Sequence, residues 1–330
     1  MQKVLSKDRL KEFLLGLTKN HDLVIPVKDR ITKFKLVENR EDLDKIYLKD
    51  ITLAPPKQFI LPENEELLEF KGESVRELHN KKEKNRRKTI IFGLRKCDLN
   101  AFLVLDKVMY DENYRKRRDN MILIGLYCEN PDEYCFCNSM ELDSEGCYDL
   151  FFYSEKNNYY ISIGSEKGKG IVKNLKDNKG KEIKKEPKNF KTLKNKDIEK
   201  DYKNKIWKTD ADKCLSCAAC TAYCPTCNCF DIKDTTEINL KDGKRTRNSA
   251  SCQLKSFSQV AGGKIFRDTR LAKLKHFIYH KIVYYKKQHN RYMCVGCGRC
   301  LRVCPTRIDW VNTINLLKKT EKMKDERGKK

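Results

Sequence analysis

The residues best suited to chemistry in this chain are eight cysteines in two short runs. Cys214-Leu-Ser-Cys217-Ala-Ala-Cys220-Thr-Ala-Tyr-Cys224-Pro225 reads C-x2-C-x2-C-x3-C-P, and Cys294-Val-Gly-Cys297-Gly-Arg-Cys300-Leu-Arg-Val-Cys304-Pro305 repeats it. Three thiolates at this spacing share one tight loop and cover three corners of a 4Fe–4S cube. The fourth, beside proline at the end of a helical turn, reaches the other cube. Cys214, Cys217, Cys220 and Cys304 are therefore expected to hold one cluster, and Cys294, Cys297, Cys300 and Cys224 the second. Small residues between the ligands (Ser216, Ala218, Ala219, Gly296, Gly298) let backbone N–H groups approach the cluster sulfurs. Paired C-x2-C steps also build zinc ribbons. Zinc takes four ligands, however, and has no use for a third step and a Cys-Pro ending, twice over.

Cys97, Cys128, Cys135 and Cys137 form a candidate third site. Cys97 follows an apolar strand ending at Leu94, and Cys128 follows another ending at Leu126. If the two strands are parallel, both thiols leave the sheet at the edge where α/β folds place ligands. Cys97 also falls at a helix N-terminus, whose dipole favours a thiolate or an anionic cluster. Cys135 and Cys137, just downstream, complete four ligands for a third iron–sulfur cluster, with zinc or redox-inert buried thiols as the alternatives. Arg95 and Asp98 flank this site, either to hydrogen-bond a ligand or to form a structural ion pair. Cys227, Cys229 and Cys252 are unassigned, expected to pack beneath the clusters rather than to bind a further metal. Cys147 reads as a buried thiol. His276 and His280 are spaced i, i+4, but no glutamate follows the first, so a stacked or solvated helix face is expected rather than a zinc site.

The elements that must position these residues are legible in part. Leu10, Phe13, Leu14 and Leu17 place one apolar stripe on an opening helix. Thr89–Leu94 and Met121–Leu126 read as buried strands. Between them Asp98 is expected to cap a helix whose face carries Phe102, Leu105 and Met109. Strand, helix and strand in about 40 residues suggest a crossover with parallel strands. Tyr148–Tyr153 and Tyr159–Ile163 suggest a hairpin. The expected fold class is thus mixed: an N-terminal α/β domain over residues 1–165, a lysine-rich linker or exposed elaboration over 166–208, and a helical ferredoxin-like domain with two 4Fe–4S clusters over 209–330. A further helix is expected from Trp310 to Lys319.

Composition narrows the class. Only 39% of the 330 residues are hydrophobic and 36% are charged, and no apolar run approaches the ~18 residues of a membrane-spanning helix. Met1 to Lys19 lacks the apolar core of a secretory signal. Sixteen cysteines in a chain of this length point to metal ligation in a reducing, cytoplasmic setting rather than to eight disulfides. The formal charge of +24 alone would suit a nucleic-acid-binding protein. The lysines are dispersed, though, and no aromatic-interleaved motif accompanies them. The basic run Lys81–Lys88 reads as an exposed turn.

The two cluster motifs lie 80 residues apart, and the insert carries Thr226-Cys227-Asn-Cys229-Phe230, Ser251-Cys252, Ala261-Gly-Gly263 and a basic helix from about Phe266 to Lys287. Here the chain resembles the β subunits of cytoplasmic NiFe hydrogenases (sulfhydrogenases) and the closely similar electron-input component of anaerobic sulfite reductase. Members share Cys-Leu-Ser-Cys-x-x-Cys-x-x-x-Cys-Pro-Thr-Cys-x-Cys, then Ser-Cys and Ala-Gly-Gly. Upstream they share two segments that stand here as Gly93-Leu-Arg95-Lys-Cys97-Asp98 and Cys135-Phe-Cys137-Asn-Ser139-Met140. The resemblance runs from about residue 90 to 310; the first 85 residues carry none of it.

The chain has no G-x-G-x-x-G after a strand, no P-loop and no nucleophile elbow, so no substrate, flavin or nicotinamide site is recognised on it. Clusters without a substrate site suggest a wire. The resemblance implies its ends: an FAD- and NAD(P)-binding subunit with a 2Fe–2S centre on one side, and NiFe hydrogenase or siroheme sulfite reductase subunits on the other. Three clusters of about −2 each, ligands included, would take the charge to about +18, still complementary to acidic partners.

Overall fold

The computed structural model describes residues 2–78 and 87–317. The chain divides into two units. The first comprises Met1–Pro62, Arg76–Asp132 and Leu142–Lys188, and the second Glu63–Val75, Glu133–Glu141 and Asn189–Lys330. This division does not follow the linear boundaries at 165 and 208. Two short stretches from the N-terminal half make their pairings with residues far downstream, and such pairings leave no mark on local composition. Most of the basic run Lys81–Lys88 lies outside the described residues.

The first unit is built on an eight-stranded sheet in the order Lys176–Asp177, Gln2–Ser6, Asn158–Ile163, Leu150–Glu155, Met121–Leu126, Thr89–Leu94, Asp22–Lys28, Thr32–Leu36. Its four central strands are parallel, from Asp22–Lys28 to Leu150–Glu155. The outer strands are antiparallel. The continuous apolar runs are explained by burial on both faces. Ile90, Phe92, Ile122 and Ile124 face one core with Leu10 and Leu14 of the helix Leu10–Thr18. Ile91, Leu94, Met121 and Leu123 face another with Leu99, Phe102 and Leu105 of the helix Lys96–Leu105. Leu150–Glu155 and Asn158–Ile163 form the expected hairpin.

Two local expectations change. The helix begins at Lys96, and Asp98 is its third residue rather than its N-cap: the Asp98 carboxylate accepts the Arg95 N–H at 3.2 Å. Met109 lies beyond the helix end yet still packs in the core. The lysine-rich stretch is also less free than its composition suggests. Glu166–Val172 is helical and Lys176–Asp177 adds a strand to the sheet, with Val172 buried. Further on, Leu193, Ile198 and Trp207 anchor their part of it within the second unit, where Tyr279 donates to the Ile198 carbonyl at 2.8 Å.

The second unit is not wholly helical. Its strands run in the order Phe230–Thr236, Gly243–Ser249, Asn64–Lys71, followed by Ser74–Glu77, of which Ser74 and Val75 belong to this unit; beyond Phe230 and Ile232 these segments show no apolar alternation. Polar pairing supplies what alternation does not. Arg245 pairs with Asp234 at 2.7 Å on the exposed side, and Arg247 binds Glu65 in a largely buried pair. Around the cysteine motifs stand the helices Trp207–Lys213 and Arg270–Tyr279. The latter continues through a π turn, His280–Tyr284, into Tyr285–His289. Residues 310–317 are helical, and the remainder of the helix expected to Lys319 lies outside the described residues.

Candidate metal centre

Both cysteine loops adopt one conformation. Ser216 and Ala218 have φ of 52° and 66°, Gly296 and Gly298 have 64° and 72°, and each pair leads into a single helical turn, Ala219–Ala222 or Arg299–Arg302. The left-handed residues turn backbone N–H groups inward: Ser216 donates to Cys214 Sγ and Gly296 to Cys294 Sγ, each at 3.4 Å. The Cys-Pro-Thr endings repeat as well, with the hydroxyl of Thr226 3.2 Å from Cys224 Sγ and that of Thr306 3.5 Å from Cys304 Sγ.

The loops differ in what covers them. Residues 133–141 lie against the second loop, where Phe136 donates its N–H to the Gly296 carbonyl at 2.8 Å and stacks edge-on to Trp310 at 5.6 Å. The segment is pinned further by Leu193, whose N–H reaches Ser139 Oγ at 3.1 Å, and by Lys196, 2.6 Å from Glu141. A Cβ on Gly296 would stand 2.6 Å from Cys137 Cα, and one on Gly298 2.6 Å from the Tyr134 carbonyl carbon. Ser216 and Ala218 carry side chains at the corresponding places, and Cys217 between them is exposed.

A cavity with about 490 Å³ of atom-free space, including its open side, is lined by Cys214, Cys217, Cys220 and Cys304, one thiol of which comes from the other motif. Leu274, Phe277 and Trp310 add apolar walls. Cys300 also borders it and accepts a hydrogen bond from Trp310 Nε1 at 3.5 Å. Burial, reinforced by neighbouring thiols, pushes Cys220 up to about 12. Burial likewise pushes Cys294 to about 12 and Cys300 well above its ordinary value, Cys224 being among the thiols that add to both shifts. Thiols so crowded and desolvated become thiolates only around a cationic core, which suits an iron–sulfur cube. Among the described residues no three His, Cys, Asp or Glu converge closely enough to hold a single metal ion.

The other candidates are placed as follows. Cys97 and Cys128 belong to the first unit, one buried near the start of the helix Lys96–Leu105 and the other just past Met121–Leu126, at the same end of two parallel strands. Cys135 and Cys137 belong to the second unit, where Cys135 lies 3.6 Å from the Cys297 carbonyl. Arg95 has a structural partner set: its guanidinium donates to the carbonyls of Leu48, Asp50 and Tyr127. Cys252 is raised by its hydrogen bond with Cys229 and then by burial. Cys147 is buried in the first unit's core, its thiol 3.7 Å from the Asp143 carbonyl. His276 and His280 stack at 5.5 Å, and burial lowers both to about 4, so they are neutral at pH 7. Three residues beside the cysteines have no role assigned by the sequence alone. Thr226 and Thr306 were signalled by the repeated Cys-Pro-Thr. Lys281, 3.3 Å from Cys224 Sγ, had no signal.

Comparison with known proteins now adds to this geometry. Residues 213–308 match the family model of the 4Fe–4S dicluster domain. Sulfhydrogenase 2 subunit beta of Pyrococcus furiosus is 31% identical over 314 residues, covering 88% of this chain and 90% of the relative. The chain belongs to the sulfhydrogenase β-subunit family. It is an iron–sulfur electron-transfer protein with two 4Fe–4S clusters in its dicluster domain. No solved structure matches it. No described helix is long and apolar enough to cross a membrane.

Proposed function

We propose that this chain is the β subunit of a cytoplasmic NiFe hydrogenase of the sulfhydrogenase kind, relaying electrons between a flavin- and NAD(P)-binding subunit and the hydrogenase subunits. The observation that carries this reading is the paired cysteine loops, joined with likeness to a sulfhydrogenase β subunit over nearly the whole chain. Cys214, Cys217, Cys220 and Cys304 would hold one cluster, and Cys294, Cys297, Cys300 and Cys224 the other, each accepting and returning one electron at a time. The chain's own part is to orient: left-handed loop residues aim N–H groups at ligand sulfurs, while Leu274, Phe277 and Trp310 keep the cavity wall apolar. The third cluster expected from Cys97, Cys128, Cys135 and Cys137 stays a proposal of its own. Iron near twelve per chain supports it, and iron near eight opposes it.

The electron-input component of anaerobic sulfite reductase is the second reading, favoured by the same cysteine segments. Purifying the native complex without oxygen and assaying nickel and siroheme together separates the two. Nickel with no siroheme is expected. Siroheme with no nickel would replace the hydrogenase reading, and neither would leave the wire with both proposed ends wrong.

A further inference from the structure

The two loops repeat in spacing, backbone conformation and hydroxyl partners, and buried cations break the repeat: Arg299, 1% exposed, stands where the first loop has Ala219, and Lys281 reaches a ligand sulfur. Lys281 is 3% exposed and places Nζ 3.3 Å from Cys224 Sγ and 3.2 Å from Thr226 Oγ1. It sits in the π turn His280–Tyr284, an irregularity often found at functional positions. Its neighbours are a sulfur, a hydroxyl and an aromatic face, the Phe277 ring lying 5.3 Å away. At Cys304, the counterpart of Cys224, the neighbours are the Thr306 hydroxyl at 3.5 Å and the Ile308 N–H, which donates at 3.4 Å, both neutral.

We propose that Lys281 holds the cluster of Cys294, Cys297, Cys300 and Cys224 at a higher reduction potential than its twin, so that the first electron entering the domain rests there. This rests on the crossed ligand sets proposed above. Reduction adds one electron, and so one negative charge, to a cube, with no bond made and no proton moved. Cluster potential follows net charge and hydrogen bonds to sulfur. A fixed ammonium donating to a ligand sulfur favours the more negative state, and a neutral hydroxyl favours it far less. Two cubes of like ligation are thereby made unequal, which orders the relay.

The test is an EPR-monitored redox titration of the full chain with its clusters, compared with Lys281→Met, Lys281→Gln and Lys281→Arg. Two one-electron steps are expected from the dicluster domain of the unaltered protein. Both neutral variants should lower the higher step by tenfold or more in the one-electron equilibrium, about 59 mV, and leave the lower step in place. Lys281→Arg should restore it. Unmoved steps in a neutral variant that keeps its iron would overturn the proposal. So would loss of one cluster from both neutral variants but not from Lys281→Arg, which would make Lys281 structural. The site reading fails differently. If the shifted step is the one altered by Cys217→Ser rather than by Cys297→Ser, the ligand crossing is wrong and Lys281 serves the other cluster.

Discussion

Cys304→Ala is expected to remove the cluster of the first motif, some 80 residues upstream, and to spare the cluster of its own motif. Cys304 lines the cavity bounded by Cys214, Cys217 and Cys220, and its charge adds to the upward shift of Cys220. Cys224, conversely, is among the thiols that raise Cys294 and Cys300. Iron should fall by about four per chain, since each cube carries four. The surviving EPR signal decides which cube was lost. It should match the signal left by Cys217→Ala, whose thiol belongs to the first loop alone. A match to Cys297→Ala instead would mean that each motif serves its own cluster.

The second large effect is steric. Gly296→Ala should cost about 2–5 kcal/mol in the stability of the second unit, combining a left-handed conformation that L-residues pay for with an overpacked contact. Its φ is 64°, and the added Cβ would meet Cys137 Cα at 2.6 Å, a backbone atom that cannot swing away. The collision displaces either residues 133–141 or the loop that holds Cys294 and Cys297, so iron at the second cluster should fall with the unfolding midpoint. Ser216→Gly, at the matching place in the first loop, is the control, because a residue with a side chain already stands there at φ 52°. It should leave iron unchanged. A Gly296→Ala protein with full iron and an unchanged midpoint would show that the contact between Cys137 and the second loop does not form in solution.

What the sequence made legible was whatever repeats or alternates. The two C-x2-C-x2-C-x3-C-P runs name their chemistry, and Thr89–Leu94 and Met121–Leu126 announce doubly buried parallel strands through uninterrupted apolar residues. What stayed hidden depends on partners far along the chain. Asn64–Lys71 is charged at half of its positions, and what makes it a strand is its place between Gly243–Ser249 and Ser74–Glu77. The left-handed loop by itself admits Ser216 and Ala218, so the further demand for glycine at 296 and 298 comes from the close approach of Tyr134 and Cys137. Asp98 reads as a cap because aspartate favours that place, yet Arg95 holds the cap position and Asp98, two residues into the helix, accepts its N–H. Lys281 is one lysine among many in a basic helix, and only the fold turns it onto a cysteine sulfur.

The most direct measurement is acid-labile sulfide and zinc on the full chain prepared without oxygen. About eight labile sulfides per chain are predicted for the two cubes, with zinc negligible and a reversible one-electron signal on reduction. Two or more zinc ions with no labile sulfide would contradict the iron–sulfur relay at its root.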